Sequence, residues 1–308
     1  MRKYVLAALI VTVEIACLTL PTAAHPGSGI VVDEKGQVLV ADINRGLLKV
    51  APNGTFTNIQ KVAGHWLTLD MTGGFARMDF EKSDHWPRWF KRRSPRGAIP
   101  ALLSDGGSPL VVHRDGNLYY VCTDEKMVPG GLQIGRLSPD GKLALVAPNL
   151  KQTVDSLGGI KGLASGPGDS LYATCPGALL EIKLDGTFSI IKHPIKVADC
   201  QKDLPPNTPS SYEPFLTGLA VDPNGTVYLA ATGCRCVLKV TPAGEITTFI
   251  KSEAPWSPTA IALHGGDIYV LEWTNAMSDG HEYRPQVRKR TPDGKLSVLA
   301  TVEETPRK

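Results

Sequence analysis

The chain has 308 residues, a formal net charge of +3, 42% apolar residues and 31 glycines. So small a net charge excludes a protein drawn to a polyanion by charge alone, and no nucleic-acid partner is expected. The glycine-rich, turn-dense composition suits a β protein.

Read in chain order, Arg2 and Lys3 precede the apolar run from Tyr4 to Val13, and Thr22-Ala23-Ala24 supplies small residues for cleavage. This pattern predicts a secretory signal peptide over residues 1–24, cut after Ala24, and a secreted or periplasmic product. Glu14 interrupts the apolar run and leaves a retained anchor as the alternative. No other stretch approaches the roughly 20 apolar residues of a membrane span, so the mature chain is expected to lack one.

After residue 24 a turn signal recurs. Glycines at 36, 73, 116, 168, 225 and 266 are each followed by a short apolar run: QVLVA, GFARM, NLYYV, DSLYA, TVYLA and DIYVL. A second series, Pro52-Asn53-Gly54, Pro95-Arg96-Gly97, Pro139-Asp140-Gly141, Leu184-Asp185-Gly186, Pro242-Ala243-Gly244 and Pro292-Asp293-Gly294, follows at the same phase. Its glycines step by 43, 44, 45, 58 and 50 residues. A four-strand unit of this period cannot bury both its faces alone, and six copies predict an all-β, six-bladed β-propeller. Each blade has four antiparallel strands, and the six form one domain over residues 25–308. The blades are expected at about 29–60, 65–104, 108–147, 160–192, 216–251 and 258–302. The ring is expected to close by packing of blade one on blade six, since no strand is left over at either end.

The opening of blade five, GLAVDPNGTVYLA, and that of blade one, with Asp42, Asn44 and Arg45, resemble the NHL-repeat and SMP-30/gluconolactonase-like group of six-bladed propellers. The resemblance implies a fold more firmly than an activity, because propellers host many unrelated functions.

Blade two is the most divergent copy, with Trp66 to Asp70 as its inner strand and Phe75 to Met78 as the next. The stretch FEKSDHWPRWFKRRSPRG that follows reads as an outer strand with solvated basic residues. Long segments follow second strands or join blades: Thr123 to Gly131, the proline-rich Lys192 to Pro214, and Trp273 to Pro285. These positions all point to one face of a propeller, where binding surfaces are commonly built.

Six residues beyond each first-turn glycine stand Asp42, Asp79, Cys122, Thr174, Ala231 and Glu272. Blades six, one and two thus bring three carboxylates to the expected channel mouth, with Asp124 on a nearby loop. His65, Lys161, Thr217 and Trp273 are further mouth candidates. Asp42, Asp79 and Glu272 have three readings: caps for the loops that follow, a site for Ca²⁺ or another divalent cation, or an acid–base pair.

The mature chain carries Cys122, Cys175, Cys200, Cys234 and Cys236. Secretion favours disulfides, and the odd count leaves at least one thiol over. Cys200 leads into blade five, so it is expected to pair with Cys234 or Cys236.

Two functions follow. The family resemblance implies a metal-dependent lactone hydrolase whose ligands stand at the heads of inner strands. The matching places here hold Gly29, Lys161 and Thr217, and none of these supplies a carboxylate. The other reading, favoured by that departure, is a secreted binding scaffold. It would use the loop-rich face and the channel mouth to hold a protein, a glycan or a small molecule.

Overall fold

A computed structural model describes residues 28–61, 64–70, 72–75, 90–91, 101–104, 108–122, 133–147, 149–198, 200, 214–274 and 283–302. Residues 1–24, Asp79, Asp124 and the turn at residues 95–97 lie outside the described residues.

The chain folds as a single-domain, all-β propeller of antiparallel sheets. The first blade is β1 (Ile30–Val32), β2 (Val38–Asp42), β3 (Gly46–Val50) and β4 (Phe56–Gln60), paired in that order. A three-stranded sheet follows, made of β5 (Trp66–Leu69), β6 (Phe90–Lys91) and β7 (Ala101–Ser104). The next blade holds β8 (Leu110–Val112), β9 (Leu118–Cys122), β10 (Gln133–Leu137) and β11 (Leu143–Val146). After the short helix α1 (Leu150–Ser156) come β12 (Gly162–Ser165), β13 (Ser170–Cys175), β14 (Ala178–Lys183) and β15 (Phe188–Lys192). The fifth sheet is β16 (Leu216–Val221), β17 (Val227–Ala231), β18 (Cys236–Val240) and β19 (Ile246–Lys251). The last is β20 (Trp256–His264), β21 (Asp267–Thr274), β22 (Pro285–Arg290) and β23 (Leu296–Thr301).

The turns explain why the strands fall where they do. The first-turn glycines 36, 73, 116, 168, 225 and 266 all adopt positive φ, between 61° and 85°. Glycine reaches that region without the Cβ clash other residues suffer, so each GxVxV-like segment reverses tightly into an apolar strand.

Strand alternation then builds the core between sheets. Along β2, Val38 and Val40 face the last blade, while Leu39 and Ala41 face the sheet of β5 and β7. Each neighbouring pair of sheets shares one such apolar cluster, and the cluster between first and last closes the ring. There Ile30, Val32 and Val40 pack against Ala260, Ala262, Leu271 and Trp273. The innermost strands touch in the same circular order, β1, β5, β8, β12, β16, β20 and back to β1.

These strands approach so closely that some positions admit only glycine. A Cβ on Gly162 would lie 2.3 Å from the backbone oxygen of Thr217, and one on Gly218 would lie 2.5 Å from that of Thr259. Backbone cannot rotate away as a side chain can. Gly162→Ala is therefore expected to destabilise the fold by about 1–3 kcal/mol, the usual cost of overpacking. The change should appear as a lower urea midpoint at unchanged slope.

Two elements differ from the sequence expectation. In the second sheet β7 lies beside β5, pairing Trp66 with Ser104 and Leu69 with Ala101, while residues 76–78 of the strand expected at Phe75 to Met78 lie outside the described residues. Phe75 is instead fully buried in a tight turn, its N–H donating to Asp70 Oδ2 at 2.8 Å. The cause is burial: every residue of β7 is buried, as a central strand requires. The outer strands β4 and β15 are half exposed. The second difference is α1. Leu150 and Val154, one helical turn apart, are fully buried against the third and fourth blades.

Candidate functional site

Five of the six residues picked out by phase occupy matching strand ends, and the sixth, Asp79, lies outside the described residues. Asp42 ends β2, Cys122 ends β9, Ala231 ends β17, and Thr174 and Glu272 lie near the ends of β13 and β21. What they do there differs.

Asp42 is fully buried. Its Oδ1 accepts the backbone N–H groups of Asn44 at 2.7 Å and Arg45 at 2.9 Å. Its Oδ2 accepts from Arg45 Nη1 at 3.1 Å, and the same nitrogen donates to the Tyr283 carbonyl at 3.0 Å. An aspartate followed by a tight loop satisfies that loop's donors, and the salt bridge holds Arg45 where its hydrogen bond to the Tyr283 carbonyl fastens the first blade to the last.

Glu272 is also fully buried. Its Oε1 accepts from Ser252 Oγ at 2.5 Å and from Arg288 Nη1 at 3.0 Å, and its Oε2 accepts from Gln286 Nε2. Arg288 Nη1 reaches on to the Lys251 carbonyl at 3.2 Å. The carboxylate thus joins the end of β19 to β21 and β22. Asp42 and Glu272, expected at an open mouth, are both closed off within separate networks. Trp273, expected beside them, is fully buried with Leu271 and Tyr283.

The other half of the ring carries a hydroxyl chain. Thr174 Oγ1 donates to the Thr217 carbonyl. Thr217 Oγ1 donates to the Thr259 carbonyl at 2.9 Å and lies 2.6 Å from Thr232 Oγ1. Thr232 Oγ1 in turn donates to the Pro258 carbonyl at 2.7 Å. The three threonines stitch the fourth, fifth and last blades together through backbone oxygens at the irregular heads of the inner strands. Thr232 was missed in the sequence. Its position, one residue after the phase position Ala231, was the available signal.

Lys161 and His65 are partly exposed at the heads of inner strands. The Lys161 N–H donates to the Thr174 carbonyl at 2.7 Å, and the His65 N–H donates to the Ser104 carbonyl at 2.8 Å. Among the described residues no group of three or more His, Cys, Asp or Glu side chains could hold a metal ion. The positions where the family resemblance places ligands do not fit one: Gly29 has no side chain, Lys161 is a cation, and the Thr217 hydroxyl is committed to Thr259.

Cys200 and Cys234 form a disulfide with Cα atoms 4.7 Å apart, which selects Cys234 of the two partners considered. It pins the proline-rich link between β15 and β16 to the short 3₁₀ turn Thr232–Cys234. Cys122, Cys175 and Cys236 are buried. Burial pushes the Cys175 thiol up to about 12 and the Cys236 thiol up to about 11. Only the thiolate is a strong nucleophile. Both thiols are therefore expected to resist iodoacetamide at pH 8 in the native protein and to react once it is unfolded in urea. Peptide mapping by mass spectrometry would check this, and rapid native labelling of either would contradict their burial.

Fold and site together define a β-propeller whose inner ring is bound by buried polar clasps. The chain belongs to the SMP-30/Gluconolactonase/LRE-like region family, whose model matches residues 109–274. No curated protein sequence matches it. Among solved structures it is similar to a gluconolactonase from Xanthomonas campestris, with 17% identity and a TM-score of 0.52, over 80% of this chain and 83% of that one. It is similar to the calcium-binding protein regucalcin from Agrobacterium tumefaciens at 16% identity and a TM-score of 0.51, over 81% and 83% of the two chains. A virginiamycin B lyase from Staphylococcus aureus matches at 16% identity and a TM-score of 0.51, over 91% and 86%. At such identities the likeness concerns the fold.

Proposed function

We propose that the protein is a secreted, six-bladed propeller that works as a binding scaffold, with the sheet of β5, β6 and β7 as a sixth, eroded blade. The ligand, a protein, glycan or small molecule, would be held on the loop-rich face. The observation that carries this reading is the fate of the carboxylates. Asp42 and Glu272 are fully buried, and every one of their carboxylate oxygens accepts from Arg45, Arg288 or a neighbouring donor, so both serve to hold the fold together. The long connections also fall together in sequence phase. Residues 123–132 join β9 to β10, residues 193–215 join β15 to β16, and residues 275–284 join β21 to β22.

Family membership sustains metal-dependent lactone hydrolysis as the second reading. The two separate in one assay. The pure protein is incubated with glucono-δ-lactone and Ca²⁺, Mn²⁺ or Zn²⁺, with and without chelator. The scaffold reading expects hydrolysis no faster than buffer. Hydrolysis that needs the cation and stops with chelator would overturn it. Export is tested separately, by N-terminal sequencing of the exported protein, which should begin at His25.

A further inference from the structure

Among the described residues, four large apolar side chains stand exposed: Leu145, Ile190, Leu296 and Val298. Leu145 and Ile190 are isolated on different blades, on β11 and β15. Leu296 and Val298, 37% and 56% exposed, share β23, the outer edge of the last blade. Two positions apart, they stand on one face of the strand and form a strip.

Register shows which face. Leu296 lies opposite Arg290 and Val298 opposite Arg288, and Arg288 reaches the Lys251 carbonyl of the fifth blade. The strip therefore lines the outer seam between the fifth and last blades. Across that seam β19 presents Phe249, which packs on the apolar cluster the two blades share. The Arg290 guanidinium lies 4.2 Å from the centre of the Phe249 ring, and the Tyr228 ring lies 5.2 Å from that of Phe249. Stacking holds a guanidinium flat and leaves its edge donors to a partner. Its neighbours on β22, Arg288 and Lys289, are paired with Glu272 and Asp267. Arg290 makes no ion pair among the described residues. Asp293 feels the Arg290 charge, but its Oδ1 accepts from Thr291 Oγ1 and from the Lys295 N–H, within its own turn. Glu245, just before β19, is exposed and makes no ion pair among the described residues either. Tyr228 pairs with Lys239 and Lys239 with Thr247, so Thr247 and Glu245, two residues before it, share the Tyr228 face toward the last blade.

We infer that this seam is where two copies of the chain pair about a two-fold axis. A surface that pairs with itself must carry the complements of its own features. This one carries an apolar strip, an arginine held on an aromatic ring and an exposed carboxylate, and the two charges lack ion pairs within the chain. A two-fold axis along the seam sets β19 of one protomer against β23 of its partner. Glu245 of one protomer then meets the partner's Arg290, and Phe249 meets the partner's Val298. The arrangement requires both charges at the same end of their blades. They are: Glu245 follows the turn at Gly244, and Arg290 precedes the turn at Gly294. Apolar contact supplies the attraction, and the charge pairs set the register. Arginine and aromatic anchors commonly dominate such contacts. The seam lies on the outer wall of the propeller, so the loop-rich face stays open in both copies. The dimer does not depend on what that face binds, and the lactone assay does not test it.

The experiment follows the purified protein by sedimentation velocity and light scattering, from micromolar to submillimolar concentration. The wild type should be dimeric at the upper end. Val298→Lys, which puts a charge into the apolar strip, should weaken dimerisation roughly tenfold or more. Glu245→Arg and Arg290→Glu should each do the same, because a reversal acts twice across a two-fold axis. The double reversal, Glu245→Arg with Arg290→Glu, should restore the dimer, which a role in folding alone would not produce. Native circular dichroism of each variant separates lost pairing from lost fold. Leu145→Lys, on the exposed edge of another blade, should pair as the wild type does. A wild type that stays monomeric throughout overturns the inference. So does a dimer that survives Val298→Lys and both single reversals, since its interface would lie elsewhere.

Discussion

Replacing Glu272 with glutamine is expected to cost about 3–5 kcal/mol of stability, the usual consequence of removing one partner from a buried ion pair. Glutamine has the same shape, so packing is not the cause. Three donors, Ser252 Oγ, Gln286 Nε2 and Arg288 Nη1, converge on the Glu272 carboxylate. An amide offers them one oxygen and meets them with its own N–H₂. The Arg288 charge, 14% exposed, is left without its counter-ion. That residual exposure places the expected loss toward the lower end of the range. The partner experiment is a cycle of Glu272→Leu and Arg288→Met, each alone and the two together. The double variant should lose less than the sum of the singles, because it removes both charges together. It should still lose something, since Ser252 and Gln286 are buried and keep donors without an acceptor. Urea unfolding of the four proteins measures the coupling. A loss below about 1 kcal/mol for Glu272→Gln would mean the pair is solvated in solution.

The propeller architecture was legible because its determinants are local. A left-handed glycine, an apolar run and a second turn each act within about ten residues, and their repetition exposes the period. The burial of Glu272 was not legible from phase. The phase gives its strand end correctly, but its counter-ion sits on the next strand, sixteen residues further along the chain. Only the register that sets Glu272 opposite Gln286 brings Arg288 within reach. Asp42 was more readable, because Asn44 and Arg45 follow directly and an aspartate before such a loop caps it. The place of β7 was also within reach. Ala101-Leu102-Leu103 is apolar at successive positions, as a strand covered on both faces must be. The outer strands mix polar with apolar residues and stay partly exposed, as in FTNIQ and FSIIK. Helix α1 was overshadowed by the turn signals around it, although Leu150 and Val154 carry its spacing.

Removing the disulfide by Cys200→Ser with Cys234→Ser is expected to destabilise the protein by about 3–4 kcal/mol, the chain-entropy cost of opening a loop of this length. The bridge spans 34 residues of sequence and joins a proline-rich link to the rigid 3₁₀ turn after β17. Native contacts resist the loss only partly. Ile195 is buried and Val197 and Cys200 pack partly buried against the core shared by the fourth and fifth blades. Ile195 also donates its N–H to the Gly177 carbonyl at 2.9 Å. The link should therefore stay docked at its start, near Ile195, and the loss should be one of stability, not of fold. Cys236 cannot take over the bridge readily, because burial holds its thiol protonated at neutral pH. Treating the wild type with dithiothreitol should lower the thermal midpoint to that of the double variant and leave the double variant unchanged. A wild type whose midpoint ignores reduction, with mass spectrometry showing the bridge open, would assign the docking of this link to its apolar contacts and not to the disulfide.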